Sequence, residues 1–309
     1  MWQYALIRIV GLIPVLFVAI LLTFIAIQFV PGDPIQVMLS DHSGNVELES
    51  RLKEAYGLDK PLYIQFGTYI KNIFSGTFGL SYRYTNQTVL EVIKPSLYIS
   101  PVIAILALLF SLPIGIFLGV YAALRRNSWH DTVVILFLVV GISIPNFALG
   151  SFLMYSLAVN LELVPVAGWG TPSHLVLPVI VLAVAPAAYI ARLTRTYMLE
   201  VLQNDYIRTA RAKGLKNRLV VYRHALRNAL VPLLTTIGLI FGGLLSGTFV
   251  VEKVFNIPGL GSLAIDSIFA RDYPVVMTVV LLFTIFYSVI NLIVDLLYAV
   301  VDPRIRYSD

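Results

Sequence analysis

Cysteine is absent from this 309-residue sequence, which excludes disulfides and every thiolate-based metal or nucleophile site. Charge is scarce as well: Asp, Glu, Lys and Arg together make up 13% of the chain. The four histidines, His42, His130, His174 and His224, are scattered, and HExxH, GxSxG and paired aspartates within apolar runs are all missing. Hydrolytic and metal-assisted chemistry therefore has no recognisable donor set. There is also no GxxxxGK[ST] phosphate loop, so any ATP-driven process involving this chain needs its motor on another polypeptide.

What fills the space is apolar: 58% of residues are hydrophobic and the mean hydropathy is +0.85. A soluble domain of this length has no use for so much, and the composition is that of an integral membrane protein. A helical crossing of the hydrocarbon layer takes about 20 residues. Uncharged or nearly uncharged runs of suitable length occupy Ile9–Val30, Tyr98–Leu124, Thr132–Val159, Leu175–Ala191, Ala229–Val251 and Val275–Val294. Six membrane helices are expected, the fourth borrowing turns past Arg192, whose long side chain can snorkel to the interface. The first run exceeds a signal peptide's apolar core and lacks a small-residue cleavage site before Pro31, so it is read as a retained anchor.

Cationic residues set the expected orientation. Arg8, Arg125, Arg126, Arg304 and Arg306, and nine cations between Arg192 and Arg227, fall on one side. The positive-inside rule makes that side, with both termini, cytoplasmic. The net charge of +5 and pI near 9.3 follow from this topology and from anionic headgroups, without nucleic acid as a partner. The first 95 residues are expected to form the anchor and a small external subdomain, and residues 96–303 a five-span body with a cytoplasmic loop at about 197–228. Within 31–95, Leu52, Tyr56, Tyr63, Phe66, Tyr69, Ile70 and Phe74 recur at helical spacing, a pattern of packing onto the membrane body.

Small residues four apart, Gly115 and Gly119, Gly238 and Gly242, Gly243 and Gly247, permit close helix approach in lipid. Pro113, Pro145, Pro178 and Pro186 each remove a backbone donor and can bend a span. Fixed packing and a moving hinge both fit these signals. Intramembrane charge is limited to Asp295, which sits near Asp302 and Arg304 and reads as an interfacial pair or cap. An ion-coupled transporter normally needs acidic or broken-helix ion sites at mid-membrane, so that class is disfavoured.

The one stretch built for a soluble partner is DYIRTARAKGLKNRLVVYRHALRNALVP, Asp205–Pro232. Asn204 or Asp205 suits an N-cap, Tyr206–Lys213 a short helix, and Gly214 a left-handed C-cap. A second helix starts at Lys216 or Asn217 and continues into the fifth span. Ala210 and Ala212 flanked by charge would make a small-residue knob that fits a partner's cleft. An amphipathic helix bound to headgroups fits the same residues equally well.

RTARAKGL at 208–215 followed by HALRNALVP at 224–232 resembles the cytoplasmic loop of binding-protein-dependent ABC importer permeases of the peptide and nickel family. The likeness runs along the chain through PGDP (31–34), YGLDKP (56–61), SGTFGLSYR (75–83), SIPNF (143–147), ARLTR (191–195), NIPGLG (256–261), RDYPVV (271–276) and IVDLLYAVVDPRIRY (293–307). It implies an all-α, six-helix type I importer (MetI-like) permease fold in a prokaryotic plasma membrane. The chain would be the B-type half of a heterodimeric pore, paired with a second homologous permease, two cytosolic ABC ATPases and a solute-binding protein. No cofactor is implied in this chain, and ATP and Mg belong to the ATPases. Carried over by position, Asp205, Arg208, Thr209, Ala210, Arg211, Ala212 and Gly214 would form the ATPase-docking loop, with Glu200 and Asp205 ordering its approach. The wider permease motif starts Glu-Ala-Ala where this chain has Arg208, Thr209 and Ala210, and its distal proline lies closer to the glycine than Pro232 does. The peptide subfamily shares both departures. Peptides, glutathione and nickel chelates remain open as substrates, and the short outer loop 160–173 leans towards oligopeptides over dipeptides.

Overall fold

The structure, a computed structural model, describes residues 2–35, 39, 46–84 and 86–301; His42, Asp302, Arg304 and Arg306 lie outside them. Helices dominate, and only an isolated bridge, Leu80 to Thr88, represents extended pairing among the described residues. In chain order they are α1 (Trp2–Gln28), α2 (Val46–Tyr56), α3 (Leu62–Phe74), α4 (Val89–Ile93), α5 (Ile99–Leu124), α6 (Trp129–Ser143) and α7 (Asn146–Leu153). A π-helical turn, Met154–Asn160, extends α7. There follow α8 (Ser173–Val201), α9 (Asp205–Ala212) and α10 (Asn217–Leu219), a π-helical turn at Val220–Ala225, α11 (Leu226–Val254), α12 (Leu260–Phe269) and α13 (Tyr273–Val301).

Among the described residues, five helical segments are long and apolar enough to cross a membrane: Arg8–Gln28, Ile99–Leu124, Ser173–Val201, Thr236–Val254 and Tyr273–Leu296. The remaining expected span, the third, is broken. Trp129–Ser143 and Asn146–Asn160 meet at 101°. The cause is local: Pro145 has no N–H to donate, and the residue before a proline is driven out of the helical region. Ile144 is accordingly extended at φ −81°, ψ 121°. Pro113, Pro178 and Pro186 lie inside helices instead.

The chain divides into two compact units, one of residues 1–6, 101–257 and 289–309, the other of 7–100 and 258–288. In the first, α5 and α8 approach closely. A β-carbon at Gly115 would stand 2.7 Å from the Ala187 carbonyl oxygen, and one at Gly119 would stand 2.5 Å from that of Ala191. Ala122 of α5, Val134 and Leu138 of α6, and Ala188 and Ala191 of α8 form a buried cluster. A β-carbon at Gly238 would fall on the Asn291 carboxamide, whereas Gly243 has open space. The glycine spacing thus marks helix contact at Gly115, Gly119 and Gly238 but not at Gly243.

In the second unit, Ile20, Phe24 and Ile27 of α1 pack with Tyr69 of α3 and with Val276, Met277 and Leu281 of α13. The Tyr69 hydroxyl meets Thr278 Oγ1 at 3.3 Å. Phe66 and Ile70 join this cluster as expected, but Tyr63 and Phe74 are 76% and 87% exposed. Helical spacing suggests that all of them pack onto the membrane body, whereas on α3 only the face turned to α1 and α13 is covered.

Motifs far apart in sequence meet in this unit. Buried Asp272 accepts from the Ser81 hydroxyl, from the Tyr82 N–H at 3.0 Å and from the Arg83 N–H at 3.3 Å. Arg271 donates to the Pro31 carbonyl oxygen at 3.0 Å. Asp33 accepts from the Ile35 N–H at 2.9 Å and pairs with Lys53 at 3.2 Å. Burial pushes the Tyr82 phenol well above its ordinary value of 10.0, and the Asp272 charge adds to the rise. The stretch Glu252–Pro274, whose NIPGLG turn suggests an outer loop facing a binding protein, a return into the pore mouth or equally a plain connector, is largely ordered: Glu252 is buried within α11, and Leu260–Phe269 is helical.

Candidate functional site

The basic loop folds as its local signals dictate. Asn204 takes the N-cap position in extended conformation (φ −69°, ψ 148°), although its side chain makes no capping bond. The helix α9 follows for eight residues and ends at Gly214, which lies at φ +76°. There the Gly214 N–H donates to the Arg211 carbonyl at 2.9 Å and the Leu215 N–H to the Ala210 carbonyl at 3.3 Å. These two bonds make a Schellman motif, the arrangement a left-handed residue after a helix permits. Its usual apolar contact is present, because Leu215 packs onto the cluster that holds Ala210.

That cluster fixes where α9 lies. Ile207 and Ala210, one turn apart and therefore on one face, are buried with Met198 from the end of α8 and Val120 and Ala123 from the end of α5. Val220, Val221, Ala225 and Ala229, running into α11, complete it. Full burial of a side chain the size of Ile207 contributes about 1.5–3 kcal/mol. A hydrogen bond reinforces the seat: Asn228 Nδ2 donates to the Tyr206 hydroxyl at 3.1 Å and to the His224 carbonyl at 2.8 Å.

The seven singled-out residues therefore divide. Ala210 faces inward at 7% exposure, whereas Asp205, Arg208, Thr209, Arg211, Ala212 and Gly214 are exposed. Asp205 and Arg208 make only a loose pair at 3.4 Å, with side chains 95% and 74% exposed. Glu200 is exposed at the end of α8. Around this ridge Lys213, Lys216, Arg218, Arg223 and Arg227 are also exposed. The result is a short rigid helix, its inner face anchored in the chain's own core and its outer face small, polar and cationic. Such a face fits a soluble partner and anionic headgroups alike. Among the described residues no cluster of His, Asp and Glu could hold a metal ion.

Sequence reading missed a polar contact one turn behind this site. Arg195 of α8 donates from Nε and Nη2 to the two carboxylate oxygens of Asp131, both at 2.7 Å. Asp131 lies in the first turn of α6 and is 3% exposed. Its carboxylate also accepts from the Asn127 N–H at 3.1 Å, while its own N–H is capped by the Ser128 hydroxyl at 3.4 Å. The S-x-x-D spacing at 128–131 is a capping signal that could have drawn attention to Asp131. Nothing local announces Arg195 as its partner.

Several membrane-length apolar helices, with a cationic helix seated between two of them, fit the class of membrane transport permeases. The chain is a member of the binding-protein-dependent transport system inner membrane components, whose family pattern matches residues 115–307, with the corresponding N-terminal family pattern on residues 1–97. It is 42% identical over 311 residues to the glutathione transport system permease protein GsiC of Salmonella choleraesuis, covering the whole of both chains. It is also 42% identical over 306 residues to the dipeptide transport system permease protein DppB of Lactococcus lactis, covering 99% of this chain and all of that one. A chain of the MetNI methionine ABC transporter, solved in inward facing conformations, superimposes with a TM-score of 0.58 at 20% identity, over 69% of this chain and 97% of that one. The protein is thus a multi-pass membrane component of an ABC importer with the type I permease fold.

Proposed function

We propose that this chain forms half of the translocation pore of an ATP-driven importer of short peptides. The observation that carries the reading is its equal, full-length identity to a dipeptide and a glutathione permease, two proteins named for small peptide substrates. Substrate size is accordingly put at two or three residues, below the oligopeptides that the short outer loop suggested. Nickel chelates remain the alternative cargo on the same scaffold.

Two cytosolic ABC ATPases carry ATP and Mg, and this chain contributes no hydrolytic site. One ATPase receives the α9 ridge of Asp205, Arg208, Thr209, Arg211, Ala212 and Gly214, with Ala210 seating the helix from beneath. A second, homologous permease supplies the other half of the pore. Support comes from an apolar groove of about 470 Å³ along α5 and α8, where Phe110, Ile114, Val176 and Ile180 stand exposed for another helix or for lipid. Both termini and α9 are cytoplasmic. Residues 1–95 form the anchor and an outer subdomain, residues 96–303 the permease body, and a solute-binding protein delivers cargo on the outer side.

Import then follows from differential binding. ATP draws the two ATPases together, the docked helices report that closure, and the half-pores exchange outward and inward access. The test is ATPase stimulation of the reconstituted complex by its binding protein loaded in turn with dipeptides, glutathione, longer peptides and a nickel chelate. Stimulation by dipeptides or glutathione supports the reading, and stimulation by the chelate alone overturns it.

A further inference from the structure

We infer that Asp131 and Arg195 act as positioning residues for transport, a clamp that carries displacement of α9 to the broken third span. The inference rests on the reading of α9 as the ATPase-docking helix.

Each link is a contact between named residues. Ile207 and Ala210 of α9 are buried against Met198 of α8. Arg195 stands one turn before Met198 on the same helix, and positions three apart share a face. Its guanidinium grips both carboxylate oxygens of Asp131 at 2.7 Å. Asp131 in turn is tied into the first turn of α6 and the preceding bend, through the Ser128 cap and the Asn127 N–H. At the far end of α6 lies the 101° break at Pro145, after which α7 departs. A push on α9 thus reaches the start of the bent span through one short path of covalent helix, packed side chains and a two-pronged ion pair.

Stability alone does not account for placing charge there. A buried ion pair is often no better than apolar side chains of the same volume, and its better-attested use is to fix register. The fork of Arg195 does this, since two parallel bonds define orientation as well as distance. The other contacts between α6 and α8 include Val134 and Leu138 against Ala188 and Ala191, and Gly141 against Val184, all apolar and without directional bonds between side chains. The clamp supplies resistance to sliding at the end nearest α9.

The experiment uses the complete transporter in lipid nanodiscs, with Asp131→Asn and the double variant Asp131→Leu, Arg195→Met beside the parent. Spin labels on cysteines introduced at the exposed positions Gln203 and Ser151 of this cysteine-free chain report the distance from the foot of α9 to α7. In the parent that distance is expected to stay fixed between nucleotide-free and ATP-trapped states. In both variants it is expected to change with nucleotide, and uptake per ATP hydrolysed to fall on the order of tenfold, while the ATPases still co-purify. The apolar pair retains packing, so it decides the matter if Asp131→Asn does not fold. Parental distance and parental uptake per ATP in the variants would overturn the clamp. So would loss of the ATPases from the variants, which would make the pair a structural support of the docking surface. Failure of ATPases to require the α9 ridge in the parent complex would remove the docking reading instead, an outcome read from co-purification alone.

Discussion

Tyr206 and Asn228, one on the short basic helix and the other in the first turn of the fifth span's helix, are joined at 3.1 Å by a side-chain hydrogen bond. The bond is exposed, so its net worth to stability is modest, about 0.5–1.5 kcal/mol. It still bears on the angle of α9, which is eight residues long and otherwise seated through Ile207, Ala210 and Leu215. Tyr206→Phe is expected to leave the complex assembled and its melting temperature within a few degrees of the parent, yet to lower stimulated ATPase activity. Asn228→Ala should do the same, and the two together should be no worse than either alone. A double variant with additive losses would show that the residues act separately.

Gly214 gives a graded test. Open space surrounds its β position, so the cost of a side chain there is backbone strain and nothing else. At φ +76° an L-residue is strained by roughly 1–2 kcal/mol, least for Asn and most for a β-branched residue. Coupled transport should therefore decline in the order Gly, Asn, Ala, Val, with the Val variant hydrolysing ATP without matching uptake. Equal coupling in the Asn and Val variants would mean that the Schellman turn does not set the helix end.

Gly119 and Gly243 share the small-residue spacing and should respond in opposite ways. A β-carbon at Gly119 meets the Ala191 carbonyl oxygen at 2.5 Å and Thr194 Cβ at 2.6 Å, and the backbone atom cannot swing aside. Gly119→Ala is expected to cost about 1–3 kcal/mol through forced separation of α5 and α8. Gly243→Ala meets nothing within 4 Å and should be neutral or slightly stabilising through better helix propensity. Thermal unfolding in detergent, followed by tryptophan fluorescence, separates the two.

These cases show which signals were readable in the chain itself. The spans follow from hydropathy, and the ends of α9 from Asn204 and Gly214, because caps and left-handed turns are decided by a few adjacent residues. Pro145 was marked as a possible kink, but the size of the bend depends on what packs on either side. The inward turn of Ala210 was not legible: that helix face is chosen by Met198, Val120 and Val221, which come from three other segments. The Asp131–Arg195 pair joins residues 64 apart, a separation at which charges of opposite sign carry no pairing information. The helix Leu260–Phe269 is not legible either, because the NIPGLG turn before it suits an outer loop, a return into the pore mouth or a plain connector equally well.

The buried carboxylate of Asp272 makes the last prediction. It is an acceptor for two backbone N–H groups and for the Ser81 hydroxyl, which in turn accepts from the Tyr84 N–H at 2.9 Å. Asparagine at this position offers one acceptor oxygen and turns an NH₂ towards groups that are themselves donors. At least one of those donors then loses its partner, at about 1–3 kcal/mol for each buried group left unsatisfied. The bend 81–84 should loosen first, since Asp272 is what holds its N–H groups. In Asp272→Asn, trypsin is expected to cut after Arg83 at least several-fold faster than in the parent, whereas the cut rate after Arg211 should be unchanged. The contrast matters because a general loss of fold would accelerate both sites together. Stimulation by the binding protein should fall in the same variant while basal ATP hydrolysis persists, which would place the motifs SYR and RDYP in reception of cargo at the outer face rather than in docking of the motor.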